Sequence, residues 1–463
     1  MSGAGDGPVL RSAGAAGTVT GSCHHLTYAG ARLLVDCGAF QGPADLEARN
    51  REAWSFDVAA LDAVVLTHAH LDHVGRLPRL VRAGFAGPVL AAPGTKAVAD
   101  VILRDAAKIA REDAERARRK ARRAGREGSV PPPPFDEADV DATLAAFRTV
   151  AYDDPVEIAG LRVTLHPAGH VVGSAWVAVD GPEGRIVLSG DLGNRESLLH
   201  PAPAAPTAAR AVVCEATYGD RTHRSREATR AEFADVLAKA ASTGGRVLIP
   251  SFALERTQAV LFEIHRLQRE GTVPAVPVVL DSPMASRMTA IYRDHAADFR
   301  PEVRALAGDG DPFTPLHFEA TADPDASRAL NDREGPMIVV AGSGMMTGGR
   351  ILHHLKHHLW KRETHVVVVG YQARGTLGRA LVGGATHVRI FGEAIAVRGR
   401  IHTIGGLSAH ADRDDLLAWL APVPDAKVRL VHGEPDALEA FATTLRDRGY
   451  DAAPVEEGRA TPL

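Results

Sequence analysis

The stretch THAHLDHVG, residues 67–75, constrains this chain more than any other. It carries His68, His70, Asp72 and His73 directly after the apolar run LDAVVL. A spacing of i, i+2, i+4 and i+5 does not fall on one face of a helix, where neighbours recur every three to four residues. An apolar run that ends in polar residues reads as a buried strand opening into a turn. On such a turn, imidazole and carboxylate groups can converge from a few residues, and that donor mix suits zinc or a similar divalent ion. The bland alternative is an exposed polar loop.

The same form recurs along the chain. LRVTLHPAGH, GRIVLSGDLG and VRLVHGE each run an apolar strand into a His- or Asp-bearing turn, presenting His170, Asp191 and His432. Loops at the ends of strands let a rigid sheet aim side chains into one space. Taken singly, His170 or His432 would read as an ordinary structural histidine. Together with the first motif they imply two ions: His68, His70, His170 and Asp191 on one, Asp72, His73, Asp191 and His432 on the other, with Asp191 bridging. Asp36, in LLVDCG, is placed to orient a ligand histidine rather than to bind metal. Two zinc ions per chain are expected, with manganese as a substitute.

Other histidines carry less. His24 and His25 are adjacent and point to opposite faces of a strand. His353, His354, His357 and His358 form two i, i+4 pairs on a helix, where a solvated or packing face is the simpler reading. His265 and His295 have no context.

With 463 residues the chain is too long for one small core, so two domains are expected. The first part is β-rich. A helix is expected from Ala97 to Gly125, ending in the basic run ERARRKARRAGR and stopped by Pro131 to Pro134. That run reads either as a solvated helix with a spacer or as an RNA-contacting arm. From about Ala216, helical segments alternate with short strands, which suggests a parallel α/β sheet inserted into the first domain. Three cysteines, Cys23, Cys37 and Cys214, without CxxC spacing point to a reduced, cytoplasmic protein. No run of about 18 apolar residues is present, and the start lacks the pattern of a secretory signal, so no membrane partner is expected. A net charge of −4 argues weakly against a nonspecific nucleic-acid coat. It leaves room for a nuclease, because bound cations reverse the local sign.

In order, Asp36, HAHLDH, His170 and Asp191 resemble the metallo-β-lactamase superfamily. The segments CEATYGDRTH, PSFALERTQ, DSPMA, GSGMMTGGRILHHL, GYQARGTLGR, GGLSAHAD and VHGE resemble its β-CASP branch of RNA-processing nucleases. That branch includes the cleavage and polyadenylation specificity factor endonuclease subunit and bacterial RNA-degrading relatives. The resemblance runs over nearly the whole chain. It implies an αββα metallo-β-lactamase fold, an α/β class, in two parts, 1–216 and 398–463, with a β-CASP cap domain at 217–397 inserted between them. It implies that Glu215 in CEATYG is an acid near the scissile bond and that His410 in SAHAD protonates the leaving oxygen. Asp72 is counted with them in the catalytic group as well as among the ligands. It implies that His432 in VHGE binds the second zinc, at a position that is histidine in RNA-processing members and typically valine in DNA-repair members. Ala216 stands where the family often has serine.

The implied activity is zinc-dependent hydrolysis of RNA phosphodiester bonds by a metal-bridging hydroxide, endonucleolytic, 5′-to-3′ exonucleolytic or both, leaving a 5′-phosphate and a 3′-hydroxyl. Single-stranded RNA is the expected substrate, and bacterial relatives suggest a homodimer. Gly-rich loops at 342–349 and 375–379 offer backbone N–H groups to phosphates, with Ser251, Arg256, Ser343, Gly344, Arg374 and Thr376 as contacts; ordinary tight turns explain such loops equally well. Neither fits GxxxxGK[ST]. The competing readings are a small-molecule ester, thioester or lactam hydrolase on the same dizinc scaffold, a DNA nuclease, and a binding subunit without catalysis.

Overall fold

A computed structural model describes residues 7–126, 128, 130–308 and 310–463. The chain divides into two compact units. One comprises residues 1–195, 202–222 and 410–463, and the other residues 196–201 and 223–409.

The first unit is built on two seven-stranded sheets. One runs in the order Thr461–Pro462, Val9–Ser12, His24–Tyr28, Ala31–Val35, Ala63–Val65, Val89–Ala91, Phe147–Thr149. The other runs Ala452–Pro454, Lys427–Val431, Ala211–Glu215, Gly184–Leu188, Ala175–Gly181, Leu161–Pro167, Val156–Ile158. Their inner faces share one core, in which Leu26, Leu33 and Val65 of the first sheet join Val163, Val177 and Val213 of the second. The outer face of the second sheet is covered by helices Arg413–Leu420 and Pro435–Arg446. Leu416, Trp419 and Phe441 from these helices pack on Trp176, Val187 and Val428. Helix Pro93–Arg123 begins four residues before the expected Ala97, because Pro93 sits in the first turn, where its missing N–H costs nothing. This is the αββα arrangement implied above.

The second unit holds a six-stranded sheet, in the order Phe318–Ala320, Val278–Asp281, Met337–Ala341, Arg246–Pro250, His365–Val368, Arg400–Thr403, with every pairing parallel. Its central strands are buried along their whole length, which is why they read as unbroken apolar runs. Helices Arg226–Ser242 and Arg256–Arg269 cover one face through Phe233, Leu237, Val260 and Ile264. Helix Ile351–His358 covers the other through Ile351 and Leu355. Arg400–Thr403 lies beyond the expected boundary at 397. It has no apolar run to mark it and joins the sheet through its backbone pairing with His365–Val368.

The first unit's chain leaves at Thr222 and returns at His410. The two ends are adjacent there, since the Arg413 N–H donates to the Arg221 carbonyl at 3.0 Å.

Candidate metal centre

The THAHLDH turn leaves strand Ala63–Val65 and winds directly into the short helix Leu71–Val74. This geometry sends the side chains of His68, His70, Asp72 and His73 to one end of the sheet pair. Gly38 lets the neighbouring turn pass against it, because a Cβ there would lie 1.5 Å from the Asp72 carbonyl oxygen. His170 and Asp191 reach the same space from the loops after Leu161–Pro167 and Gly184–Leu188, and His432 from the end of Lys427–Val431.

Among the described residues three ligand-type groups form, the third being Asp191, Glu215 and His432, which shares its members with the others and with the acid described below. His68, His70, His170 and Asp191 offer donor atoms within 4.8 Å of one another, and so do Asp72, His73 and His432. In the first, His70 Nδ1 lies 3.0 Å from His68 Nε2 and 3.2 Å from His170 Nε2. In the second, His73 Nε2 lies 3.2 Å from His432 Nε2, and Asp72 Oδ2 is 3.7 Å from the latter. Asp191 stands between them. Its Oδ2 is 3.5 Å from His68 Nε2 and 3.6 Å from His170 Nε2, whereas its Oδ1 is 3.4 Å from both His73 Nε2 and His432 Nδ1.

The outer nitrogens of three rings are fixed by hydrogen bonds whose direction can be read. Thr67 Oγ1 donates to Asp36 Oδ2 at 2.8 Å, so its oxygen is left to accept from His68 Nδ1 at 3.1 Å. Thr217 Oγ1 donates to the His432 carbonyl at 3.1 Å and therefore accepts from His432 Nδ1 at 3.0 Å. His73 Nδ1 meets Asp36 Oδ2 at 2.7 Å. Each contact puts the ring proton on Nδ1 and leaves Nε2 as a lone pair facing the cluster.

These residues fit divalent cations. Lone pairs about 3 Å apart repel unless something positive lies between them, and Asp191 Oδ1 is buried without a hydrogen-bond partner. The protonation of the cluster points the same way. Burial alone would depress the His73 ring. The carboxylates of Asp191 and Asp36 nevertheless push it up to about 10, so that without a bound cation the inward Nε2 takes up a proton, in the place a metal ion would otherwise occupy. Burial followed by the neighbouring imidazoles holds His68 well below its ordinary value.

Glu215 and His410 border this cluster. Glu215 ends strand Ala211–Glu215 and is fully buried. Its Oε1 accepts from the Leu192 N–H at 2.6 Å and its Oε2 from the Thr217 N–H at 3.3 Å. His410 Nδ1 lies 3.5 Å from Glu215 Oε1 and 3.8 Å from Asp191 Oδ2. The His410 side chain keeps 21% of its surface exposed, against 3% or less for Asp191 and Glu215. A backbone bridge to Gly193 holds it in place. Although burial opposes charging the ring, Glu215 raises His410 to about 9. Burial likewise opposes ionising Glu215, and His410 outweighs it, lowering Glu215.

Comparison with known proteins agrees with this geometry. A profile described as the metallo-beta-lactamase superfamily matches residues 16–220, one for the Beta-Casp domain matches 257–381, and one for a Zn-dependent metallo-hydrolase RNA specificity domain matches 394–454. Ribonuclease TTHA0252 of Thermus thermophilus is 43% identical over 455 residues, covering 97% of this chain and 99% of its own. The chain belongs to the β-CASP branch of the metallo-β-lactamase superfamily. Members of that branch are metal-dependent hydrolases, and so is this protein. Transcription termination factor FttA of Methanocaldococcus jannaschii is 31% identical over 449 residues, covering 94% of this chain and 68% of its own. A protein of unknown function from Enterococcus faecalis V583 shares the fold, with a TM-score of 0.57 at 13% identity over 99% of this chain and 100% of its own.

The phosphate-contact candidates lie in the second unit, after the neighbouring strands Arg246–Pro250, Met337–Ala341 and His365–Val368. Carboxyl ends of parallel strands are where such sheets receive ligands. Their loops pack together: a Cβ on Gly344 would come within 2.7 Å of the Phe252 ring, and Gln372 Nε2 donates to the Gly344 carbonyl at 3.0 Å. The hydroxyls are already engaged. Ser251 is buried beside Thr257, Ser343 Oγ accepts from the Thr347 N–H at 3.1 Å, and Thr376 caps helix Leu377–Val382. Arg256 opens helix Arg256–Arg269, and Arg374 is exposed.

Sequence reasoning did not assign Thr67 and Thr217. Their only signal is a hydroxyl directly before His68 and one directly after Ala216. Among the other histidines, His354 and His358 are buried, with His354 Nε2 2.6 Å from Asp281 Oδ2, while His353 and His357 face solvent.

Proposed function

We propose that this hydrolase is a zinc-dependent ribonuclease acting on single-stranded RNA. The observation that carries the reading is the Glu215–His410 pair set against a His- and Asp-rich cluster, with His410 both close to Asp191 and open to solvent. Hydrolysis of a small ester or lactam does not require such a pair, because its leaving group is less demanding than a ribose alkoxide. The ribonuclease name of the Thermus relative and the RNA specificity profile support the choice of RNA.

In this reading His68, His70, His170 and Asp191 hold one ion. Asp72, His73, Asp191 and His432 hold the other. Bound zinc would supply Lewis acidity toward the phosphoryl group and the attacking water. The chain's own residues do the rest. Asp36, Thr67 and Thr217 keep the Nε2 lone pairs of His73, His68 and His432 turned inward. Glu215 orients His410 through Nδ1, which leaves Nε2 to hand a proton to the departing 3′ oxygen of the ribose, so that the products carry a 5′-phosphate and a 3′-hydroxyl. The three free cysteines are buried thiols, which supports a reducing, cytoplasmic setting. A homodimer is the assembly to test.

The test uses single-stranded RNA labelled at either end and a matched DNA, with wild type and His410→Ala. RNA cut with DNA spared, and a variant that keeps its metal but not its activity, supports the reading. Intact RNA in the presence of fully metallated protein would send the search to small-molecule substrates, and cleavage of both polymers to a less selective nuclease.

A further inference from the structure

Helix Pro93–Arg123 does two different things along its length. Its first half is part of the fold. Gly94 lies against Gly173, where a Cβ would come within 2.9 Å of that residue's Cα, and Thr95 Oγ1 donates to the Gly173 carbonyl at 2.6 Å. This end therefore abuts the loop that carries His170. Val98, Ala99, Leu103 and Ala107 are buried, and Arg104 pairs with Asp141 of helix Glu137–Ala145 at 2.8 Å. Beyond Ala107 the only buried residue of the helix is Ala114, and residues 115–120 are exposed on every side.

The exposed half has an unusual charge. RARRKARR, residues 116–123, holds six cations and no anion in a chain whose net charge is −4. Arg116, Arg119, Lys120 and Arg123 fall at i, i+3, i+4 and i+7, a single stripe along one face. Neighbours in that stripe are like-charged pairs, which destabilise an isolated helix. Among the described residues, only Asp113, 3.4 Å from Arg116, and Glu115, 3.7 Å from Arg119, offset them. Lys120 and Arg123 have no ion-pair partner among the described residues. Complementing the helix dipole accounts for cations in the last turn, but that effect fades within one turn and does not reach Arg116 or Arg119.

We propose that the stripe Arg116, Arg119, Lys120, Arg123 is a docking surface for the phosphate backbone of single-stranded RNA. This rests on the ribonuclease reading. Charge complementarity identifies the occupant. A row of cations held apart by a helix, and repelling one another, is relieved by a polyanion that lays a phosphate at each. At 1.5 Å per residue the stripe starts about 30 Å along the helix from Gly94. It therefore grips RNA well away from the scissile bond. It contributes to affinity for long RNA and nothing to the chemical step.

The test compares wild type with Arg116→Gln/Arg119→Gln/Lys120→Gln/Arg123→Gln, both metal-loaded, with helicity checked by circular dichroism. Glutamine keeps good helix propensity. The readouts are binding of poly(A) against salt concentration, binding of poly-glutamate, and hydrolysis of bis-p-nitrophenyl phosphate. The proposal expects weaker poly(A) binding and a salt slope reduced by up to about 2.8, at roughly 0.7 per phosphate contact, with hydrolysis of the small substrate unchanged. An unchanged affinity and slope in the variant would overturn it while leaving the ribonuclease reading intact. Loss of poly-glutamate binding with poly(A) binding retained would overturn it in favour of an acidic protein partner. Wild type that neither binds nor cuts RNA would overturn both.

Discussion

Asp36 Oδ2 accepts the Nδ1–H of His73 at 2.7 Å, and both side chains are 1% exposed. Asp36 also accepts the Thr67 N–H and hydroxyl, each at 2.8 Å. One carboxylate thus orients His73 directly and His68 through Thr67. We expect Asp36→Asn to lower metal affinity by about 10–100-fold, the usual cost of losing an outer partner of a ligand. Competition with a coloured chelator measures it. An unchanged affinity would mean that Asp36 serves the fold alone.

Asp191 should behave differently, since its two oxygens face the two histidine groups separately. We expect Asp191→Asn to reduce the metal bound per chain and to abolish RNA cleavage. Elemental analysis of the dialysed variant decides this. Full metal content would show that the histidines suffice without it.

His410 borders the cluster, with Nδ1 3.8 Å from Asp191 Oδ2 and 3.5 Å from Glu215 Oε1 and its ring centroid 4.5 Å from that of His170, but it belongs to none of the ligand-type groups. We expect His410→Ala to keep its metal content and to lose about 10²–10⁴-fold in kcat, the range of general acid help. A substrate with a good leaving group, such as a p-nitrophenyl ester, should lose much less. Equal losses on both substrates would argue against proton donation.

Gly193 sits where the His170 and His410 segments meet. A Cβ there would lie 1.9 Å from the Gly169 carbonyl oxygen and 2.9 Å from the His170 nitrogen. Backbone must shift to admit it, at a cost of about 1–3 kcal/mol or more. Gly193→Ala should lower the melting temperature and weaken metal binding together. A variant with unaltered metal content would show that the two loops move independently.

Stability should also depend on pH through the second unit. Burial, followed by the Arg246 charge, lowers the His358 ring to about 3, and Arg246 Nη1 donates to its Nε2 at 2.8 Å. Because the folded value lies below the unfolded one of about 6.5, the unfolded chain binds the proton more tightly. The stabilising effect of a neutral His358 is complete above about pH 6.5 and is lost as pH falls toward 3. The slope is about 1.4 kcal/mol per pH unit. Melting of metal-free protein between pH 7.5 and 4.5 should be flatter for His358→Gln than for wild type. Parallel curves would mean that His358 is not the group responsible.

Much of the first unit was legible because its residues repeat one form, an apolar run ending in a ligand-type side chain. His68, His170, Asp191 and His432 all stand in that setting. The supports were not legible. Thr67 and Thr217 act through the direction of a hydrogen bond, and nothing in residue order encodes that direction. The burial of His354 depends on Asp281, 73 residues away, so its i, i+4 spacing could not separate packing from solvation. Arg400–Thr403 escaped for the opposite reason: an edge strand held by backbone pairing needs no apolar pattern.

The contact between Arg221 and Arg413 makes residues 223–409, which form the second unit together with the short stretch 196–201, a detour that starts and finishes at one doorway. For the metal-bearing unit, such a segment is a removable room rather than a structural wall. A short linker from Thr222 to His410 could close the doorway and leave both sheets and every candidate ligand on one continuous chain. By the same reasoning, rooms of other sizes could be hung there over evolutionary time, because each doubling of a loop's length adds only about 0.6 kcal/mol of closure entropy.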